Sequence, residues 1–190
     1  MNYELKSARY LAVDLLSRIL QPGDSAVDAT MGNGHDTLFL CSNVGPEGHV
    51  YAFDVQQQAL DSTSALLMRE GLSSRASLFC CGHQRMDEFV PEKVRAVVFN
   101  LGWLPGGDHH ITTQWNTTKE AVLKALELLL PGGMLVICAY PGHAEGDRER
   151  RELLGLLSSL PNKTFNVLHQ HFLNAGPGAP ECFAVQKMLV

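Results

Sequence analysis

The chain of 190 residues and 20.8 kDa is long enough to bury one core and too short for two comfortable domains, so we expect a single domain over residues 1–190. Its formal net charge of −5 and its pI near 5.9 argue against the basic surface of a protein that binds nucleic acid nonspecifically. Five cysteines without C-x-x-C spacing, strand-sized apolar runs and a charged N-terminus predict a cytoplasmic protein without disulfides or membrane association.

Helical and strand patterns alternate along the chain. An amphipathic pattern opens it, and short runs rich in β-branched and aromatic residues recur between later helical patterns. The predicted strands lie at residues 25–29, 48–55, 75–81, 94–100, 134–140, 163–172 and 182–190. The predicted helices lie at residues 3–20, 36–42, 56–70, 112–130 and 148–160.

This alternation predicts an α/β fold. Helices of such length between strands imply right-handed crossovers and a mainly parallel sheet that is covered on both faces. The last two strands have no helix between them, so they pair antiparallel if they are neighbours.

A glycine-containing turn, D-A-T-M-G-N-G-H-D, follows the first predicted strand. Glycines there let the backbone approach a ligand, and ligands of open α/β sheets bind beyond the carboxyl ends of the strands. The dinucleotide fingerprint G-x-G-x-x-G is incomplete, because Thr37 occupies its third glycine position. Asp54 ends the second strand, where a carboxylate can accept hydrogen bonds from two ribose hydroxyls. The alternative is a structural turn, with Asp54 as the N-cap of the next helix.

Three motifs carry a resemblance over nearly the whole chain: the glycine turn, Y-A-F-D at the end of the second strand, and F-N-L-G-W-L-P-G-G after the fourth. With them the sequence resembles class I S-adenosylmethionine-dependent methyltransferases. The resemblance implies a Rossmann-like fold with a seven-stranded, mainly parallel sheet of order 3-2-1-4-5-7-6, helices on both faces and an antiparallel last strand. It also implies S-adenosylmethionine as the cofactor, with its amino-acid half at the turn, its ribose at Asp54 and its adenine near residues 82–84. The residues so assigned to the cofactor are Asp28, Thr30, Gly32, Asn33, Gly34, Asp36, Asp54, His83 and Gln84.

The loop F-N-L-G-W-L-P-G-G is interpreted as the site of the methyl acceptor. Methyl transfer from a sulfonium needs a positioned nucleophile. The side-chain oxygen of Asn100 can accept an N–H hydrogen bond from an amine, and the lone pair of the amine nitrogen then stays free to attack. The loop resembles the Asn-Pro-Pro-aromatic motif of amine methyltransferases, with Leu-Gly in place of Pro-Pro. Gly102, Trp103 and Tyr140 are assigned to the substrate; Trp103 either stacks on a base or packs in the core.

Histidines follow the fourth and fifth strands, on the side where substrate would enter. A protonated amine cannot attack, so His109, with His110 beside it, or His143 is a candidate base; the alternative for each is a loop or capping role. No acidic cluster completes a metal site, so no metal is expected. The basic cluster D-R-E-R-R-E at residues 147–152 predicts a solvated helix face, with contact to tRNA phosphates as the alternative.

The strings N-L-G-W-L-P-G-G-D-H and Y-P-G-H narrow the resemblance. They are similar to the rRNA methylase family, whose members include bacterial enzymes that N-methylate the 5-aminomethyl group of wobble 5-aminomethyl-2-thiouridine in tRNA to 5-methylaminomethyl-2-thiouridine. The resemblance implies this reaction, with the tRNA anticodon loop as partner, and leaves a homodimer open. The splayed bases of such a loop can be read by stacking and edge contacts. Two alternatives stand beside it: the same fold acting on rRNA or a small-molecule amine, and a nucleotide-binding module without transferase activity.

Overall fold

The computed structural model describes residues 7–108 and 110–189, which contain seven strands and six α-helices. The strands are β1 (Ser25–Asp28), β2 (His49–Asp54), β3 (Ala76–Cys80), β4 (Val94–Asn100), β5 (Leu129–Ala139), β6 (Phe165–Gln170) and β7 (Glu181–Lys187). The helices are α1 (Ala8–Ile19), α2 (His35–Val44), α3 (Gln57–Arg69), α4 (Met86–Phe89), α5 (Trp115–Leu128) and α6 (Ala144–Ser158). Residues 3–6 of the first predicted helix and residue 190 of the last predicted strand lie outside the described residues.

All seven strands form one sheet in the order β3-β2-β1-β4-β5-β7-β6. Strands β1 to β5 run parallel to one another, whereas β7 runs antiparallel to both β5 and β6. The predicted α/β class, the strand order and the antiparallel last strand are therefore confirmed.

Different helices cover the two faces of the sheet. Val97 and Phe99 of β4 belong to the core beneath α4, α5 and α6, while Ala96 and Val98 belong to the core beneath α1, α2 and α3. Successive residues of a strand point to opposite faces, so both sets are buried and the strand reads as a continuous apolar run.

Among the predicted boundaries that are wrong by several residues are the starts of β5 and α6. Strand β5 begins at Leu129, which pairs with Val94 before a register shift. The strand was predicted to begin at residue 134, because Pro131 and the two glycines after it are typical of the end of a helix. Helix α6 begins at Ala144 rather than at residue 148, because His143 caps its N-terminus. No helix or strand was predicted for the short polar segment between β3 and β4. The structure places a 3-10 turn at residues 83–85 and helix α4 there.

The order of the strands reverses between β1 and β4, and a ligand crevice is expected beyond the carboxyl ends of the strands there. Within the described part of the chain, no helix is both long and apolar enough to cross a membrane.

Candidate active site

A cavity of about 690 Å³ lies where the loops that follow β1, β2, β3, β4 and β5 come together. Most of the residues predicted for the site line it: Thr30, Gly32, Asn33, Asp36, Asp54, His83, Gln84, Asn100, Gly102, Trp103, Tyr140 and His143. Asp28 and Gly34 do not reach it, and the predicted base His109 lies outside the described residues.

Gly34 shapes the turn after β1 from behind the cavity wall. Its φ is +81°, and a Cβ built on it would lie 2.9 Å from the Cα atom of Thr63 in α3. Both the backbone conformation and the close approach of α3 therefore require glycine at this position. Gly34 does not line the cavity, and its predicted contact with a cofactor stays a prediction.

Asp28 likewise supports the turn from beneath and does not touch the cavity. Its fully buried carboxylate accepts the Thr37 hydroxyl at 2.7 Å and the backbone N–H of Thr30 at 3.1 Å. Burial, followed by the charge of Asp36, raises the pKa of Asp28 to about 7.

Asp54 ties the end of β2 to the glycine turn. Its Oδ2 accepts the backbone N–H of Gly32 at 3.1 Å, and its Oδ1 accepts that of Gln56 at 3.0 Å. The N-cap of α3 is Gln56, so the capping alternative for Asp54 is wrong. Burial raises the pKa of Asp54 although these hydrogen bonds oppose it, and each oxygen keeps acceptor capacity for a ligand in the cavity.

His83 and Gln84 form another part of the wall, which also includes the exposed side chain of Val55. Nδ1 of His83 lies 3.2 Å from the carbonyl oxygen of Ala29, and burial lowers the pKa of this histidine to about 4. The neutral ring therefore carries its proton on Nδ1 and leaves Nε2 as an acceptor. Oε1 of Gln84 is buried and has no hydrogen-bond partner within residues 7–108 and 110–189.

Asn100 stands at the end of β4 and joins three parts of the site. Its backbone N–H donates to the Thr30 hydroxyl at 2.7 Å, and its side-chain Nδ2 donates to the carboxylate of Asp36. Its Oδ1 lies 3.5 Å from the hydroxyl of Tyr140, at the limit of a hydrogen bond. The amide oxygen, an acceptor, thus faces the side of the cavity lined by Tyr140.

The guanidinium of Arg9, on α1, reaches the same carboxylate. Its Nη2 and Nε lie 3.0 and 3.3 Å from Oδ1 of Asp36, and Arg9 lines the cavity. Sequence reasoning missed this residue, because an arginine on the polar side of an amphipathic helix carries no signal of a distant partner.

Trp103 and His143 contact each other beside the cavity. Their ring centroids are 4.6 Å apart, and Trp103 is 39% exposed, so the alternative that it packs in the core does not hold. Nδ1 of His143 accepts the backbone N–H of Gly146 at 3.2 Å, which makes this residue the N-cap of α6, the alternative considered above. His110 is exposed and does not line the cavity. In the part of the chain that the structure describes, no three His, Cys, Asp or Glu side chains cluster as metal ligands.

Glu149 supports the loop after β4 from within the fold. It is buried and accepts the hydroxyls of Thr113 at 2.7 Å and Thr118 at 2.5 Å, and the Thr113 hydroxyl accepts the Gly102 N–H at 2.9 Å. Burial raises the pKa of Glu149. The prediction of a solvated face for residues 147–152 is therefore wrong at Glu149. The alternating charges of this segment do not indicate that one of its carboxylates is buried.

The segment between β6 and β7 reaches the cavity through Gly178. A Cβ built on Gly142 would lie 3.1 Å from the Cα atom of Gly178, and both glycines have positive φ. Two backbones therefore touch where the β6–β7 connection meets the loop after β5.

A sheet of this order, with a glycine turn after β1 and a carboxylate after β2 facing one cavity, defines a class I methyltransferase. A family model described as "Putative rRNA methylase" matches residues 50–186. The chain therefore belongs to that family, whose members are S-adenosylmethionine-dependent methyltransferases, and the predicted family is confirmed.

Individual relatives agree with this assignment. The chain is 40% identical over 166 residues to an Arabidopsis thaliana protein named tRNA (mnm(5)s(2)U34)-methyltransferase, chloroplastic; the match covers 82% of this chain and only 61% of that relative's length. A crystal structure of a "putative rRNA-methylase" from Clostridium thermocellum superposes with a TM-score of 0.96 at 38% identity, covering 98% of this chain and 100% of that one. A "putative methyltransferase" from Streptococcus mutans in complex with SAH superposes with a TM-score of 0.89 at 38% identity, covering 97% and 99%.

Proposed function

We propose that this chain is an S-adenosylmethionine-dependent tRNA methyltransferase that N-methylates the 5-aminomethyl group of wobble 5-aminomethyl-2-thiouridine. The observation that carries the proposal is Oδ1 of Asn100, an acceptor held beside Tyr140 in the wall of the cavity. The name of the Arabidopsis relative, tRNA (mnm(5)s(2)U34)-methyltransferase, supports the choice of tRNA and of position 34.

The cavity fits S-adenosylmethionine, which supplies an electrophilic methyl group when bound. Asp54 would accept the ribose hydroxyls through the acceptor capacity that its two backbone bonds leave. The orphan Oε1 of Gln84 would accept an N–H of the adenine amino group, and the exposed Val55 would cover the ring. Thr30, Gly32 and Asn33 would hold the amino-acid half at the turn. The SAH-bound relative from Streptococcus mutans supports this cofactor.

On the acceptor side, Asn100 would take an N–H of the substrate amine and leave the nitrogen lone pair directed at the methyl group. Burial raises the pKa of Tyr140 to about 12, so its hydroxyl keeps its proton and remains a donor at neutral pH. Trp103, with 39% of its surface exposed, would stack on a base of the anticodon loop, and Gly102 would let the loop pass close to it.

The amine must lose its proton before it attacks. His143 does not suit this task, because its Nδ1 is committed to the cap of α6 and its Nε2 is buried without a partner in the described residues. His109 as the base stays a prediction. An amine that has already lost its proton to water arrives neutral and needs no base on the protein for the attack.

The test is mass spectrometry of tRNA nucleosides from a deletion strain and from purified components. Wild-type protein with S-adenosylmethionine should convert accumulated 5-aminomethyl-2-thiouridine into its N-methyl product. We expect Asn100→Ala to lower the rate about 100-fold or more, as for loss of one oriented transition-state contact, with SAH affinity kept. Asn116→Ala, on the exposed side of α5, is the matched control. An unchanged nucleoside profile, with methylation of rRNA or a small amine instead, would overturn the proposal.

A cytoplasmic location and a homodimer stay predictions. Fractionation of cells that express a tagged chain tests the location, and light scattering on the purified protein tests the homodimer.

A further inference from the structure

Both oxygens of the Asp36 carboxylate are occupied by donors from distant parts of the chain. Oδ1 accepts from Arg9 on α1, at 3.0 Å from Nη2, and Oδ2 accepts from the side-chain amide of Asn100 after β4. The Asp36 side chain is only 13% exposed, against 48% for Arg9. Asp36 thus bridges a helix of one face and the acceptor loop at the wall of the cavity.

The bridge fixes which end of the Asn100 amide faces the substrate. An asparagine side chain can rotate by half a turn and exchange its NH2 group for its oxygen. A carboxylate accepts hydrogen bonds and cannot donate them, so Asp36 selects the NH2 end and leaves Oδ1 toward Tyr140. The opposite rotamer would present a donor to the amine and could not orient it.

The bridge also concerns charge. A carboxylate near an amine stabilises the ammonium form, which has no lone pair and cannot attack. The guanidinium of Arg9 offsets the charge of Asp36 at hydrogen-bond distance. Among residues 7–108 and 110–189, the other titratable or charged groups around this pair or across the cavity are Asp28, His35, Asp54, His83, Cys138, Tyr140 and His143.

We propose that Arg9 is a positioning residue: through Asp36 it holds the Asn100 oxygen toward the substrate amine and cancels a carboxylate charge that would keep this amine protonated. The inference rests on the proposed function for the identity of the amine. Arg9 and Asp36 have opposite charges, so we expect the loss of each to move the midpoint of the kcat–pH profile in opposite directions.

The experiment measures kcat against pH on tRNA that carries 5-aminomethyl-2-thiouridine. Arg9→Gln leaves the carboxylate uncompensated, so kcat at pH 7 should fall about 10-fold and the midpoint of the profile should move about one unit to higher pH. Asp36→Asn leaves the guanidinium uncompensated, and its midpoint should move to lower pH. The double variant removes both charges and should return the midpoint to within a few tenths of the wild-type value.

Two controls separate this role from a structural one. Arg18→Gln removes an exposed arginine of the same helix, paired with Asp14, and should leave the profile unchanged. SAH affinity and the thermal midpoint of Arg9→Gln should stay close to those of the wild type, since its side chain is half exposed. Midpoints of Arg9→Gln and Asp36→Asn that coincide, or that move in one direction, would overturn the inference.

A wild-type protein inactive on this tRNA would refute the proposed function and not the bridge. In that case, NMR with SAH present measures the side-chain amide resonances of Asn100. Its two N–H resonances should change in Asp36→Ala, with those of Asn116 as the reference. Resonances of Asn100 that stay unchanged would show that Asp36 does not orient this amide.

Discussion

The hydroxyl of Thr30 accepts the backbone N–H of Asn100 at 2.7 Å. Thr30 follows β1 and Asn100 ends β4, the two neighbouring strands at which the order of the sheet reverses. One hydrogen bond therefore fixes the proposed cofactor turn to the proposed acceptor loop.

Replacement of Thr30 by valine keeps the shape and removes this acceptor. We expect Thr30→Val to lower the free energy of unfolding by about 1 to 3 kcal/mol, because the Asn100 N–H is left unpaired in a partly buried place. Thr30→Ser keeps the hydroxyl and should lose less than half as much. Urea unfolding measures both, and equal losses in the two variants would contradict a role for the hydrogen bond.

Asp54 is predicted to dominate cofactor affinity. Asp54→Ala removes two bonds to backbone N–H groups together with the proposed ribose contacts, so the Kd for SAH should rise about 100-fold, which is about 2.7 kcal/mol. Isothermal titration calorimetry measures this change. Asp61→Ala removes an exposed carboxylate that accepts from Gln57 on the same helix and should leave the Kd unchanged. Retention of wild-type affinity in Asp54→Ala would remove this residue from the site.

Gly34 should be among the least replaceable glycines. Alanine there meets a positive φ and the backbone of Thr63 at 2.9 Å, so Gly34→Ala should cost about 2 to 4 kcal/mol of unfolding free energy and weaken SAH binding. Gly155→Ala is the control, since a Cβ on this helical glycine meets no described heavy atom within 4 Å apart from its chain neighbours and the backbone of its own helix. It should stabilise the protein by about 0.5 to 1 kcal/mol. A Gly34→Ala protein as stable as the wild type would show that α3 can move away.

Asp28 and His83 make opposite contributions to the pH dependence of stability. The native state holds a proton on Asp28 up to about pH 7, whereas the unfolded chain releases it near pH 3.8, so this residue adds stability as the pH falls between these values. His83 stays neutral in the native state down to about pH 4, whereas its unfolded imidazole is protonated below pH 6.5, so it removes stability over that range.

Single variants separate the two contributions. Relative to the wild type, Asp28→Asn should lose stability as the pH falls from 7 to 4, and His83→Gln should gain it between pH 6.5 and 4, each by on the order of 3 kcal/mol. Urea unfolding at four pH values measures both differences. Parallel curves for the wild type and a variant would mean that the replaced group has the same pKa in the folded and unfolded states.

The sheet could be predicted from the sequence because its strands are buried on both faces. Strand β4 matches its prediction at both ends, since the apolar run that begins at Val94 is interrupted only by Arg95 and is closed by the polar Asn100. The start of β5 could not be predicted, because Pro131-Gly132-Gly133 is typical of a helix end and only the pairing with β4 shows a bulge.

The site was predictable where side chains follow strands in sequence, as for Asp54 and Asn100. Arg9 and Glu149 were not, because each acts through a partner in a distant element: Arg9 through Asp36, and Glu149 through Thr113. A period of 3.6 residues indicates that a helix face is polar and does not say which polar side chain finds a partner. Asp28 was assigned to the cofactor because it precedes the glycine turn in sequence, but its side chain lies beneath that turn and does not line the cavity.

The antiparallel position of β7 sets an order of assembly on the ribosome. Strand β6 pairs with β7 alone in the sheet, so it has no edge to join until the later strand has been made. Strands β1 to β4, with Asp54 and Asn100 at their ends, are complete some 80 residues earlier in the chain. During synthesis from the N-terminus, the elements that carry these two side chains are available while the wall that Gly178 completes is still missing. A nascent chain can therefore form the strands that carry the proposed cofactor residues first and add the part of the cavity wall that contains Gly178 last.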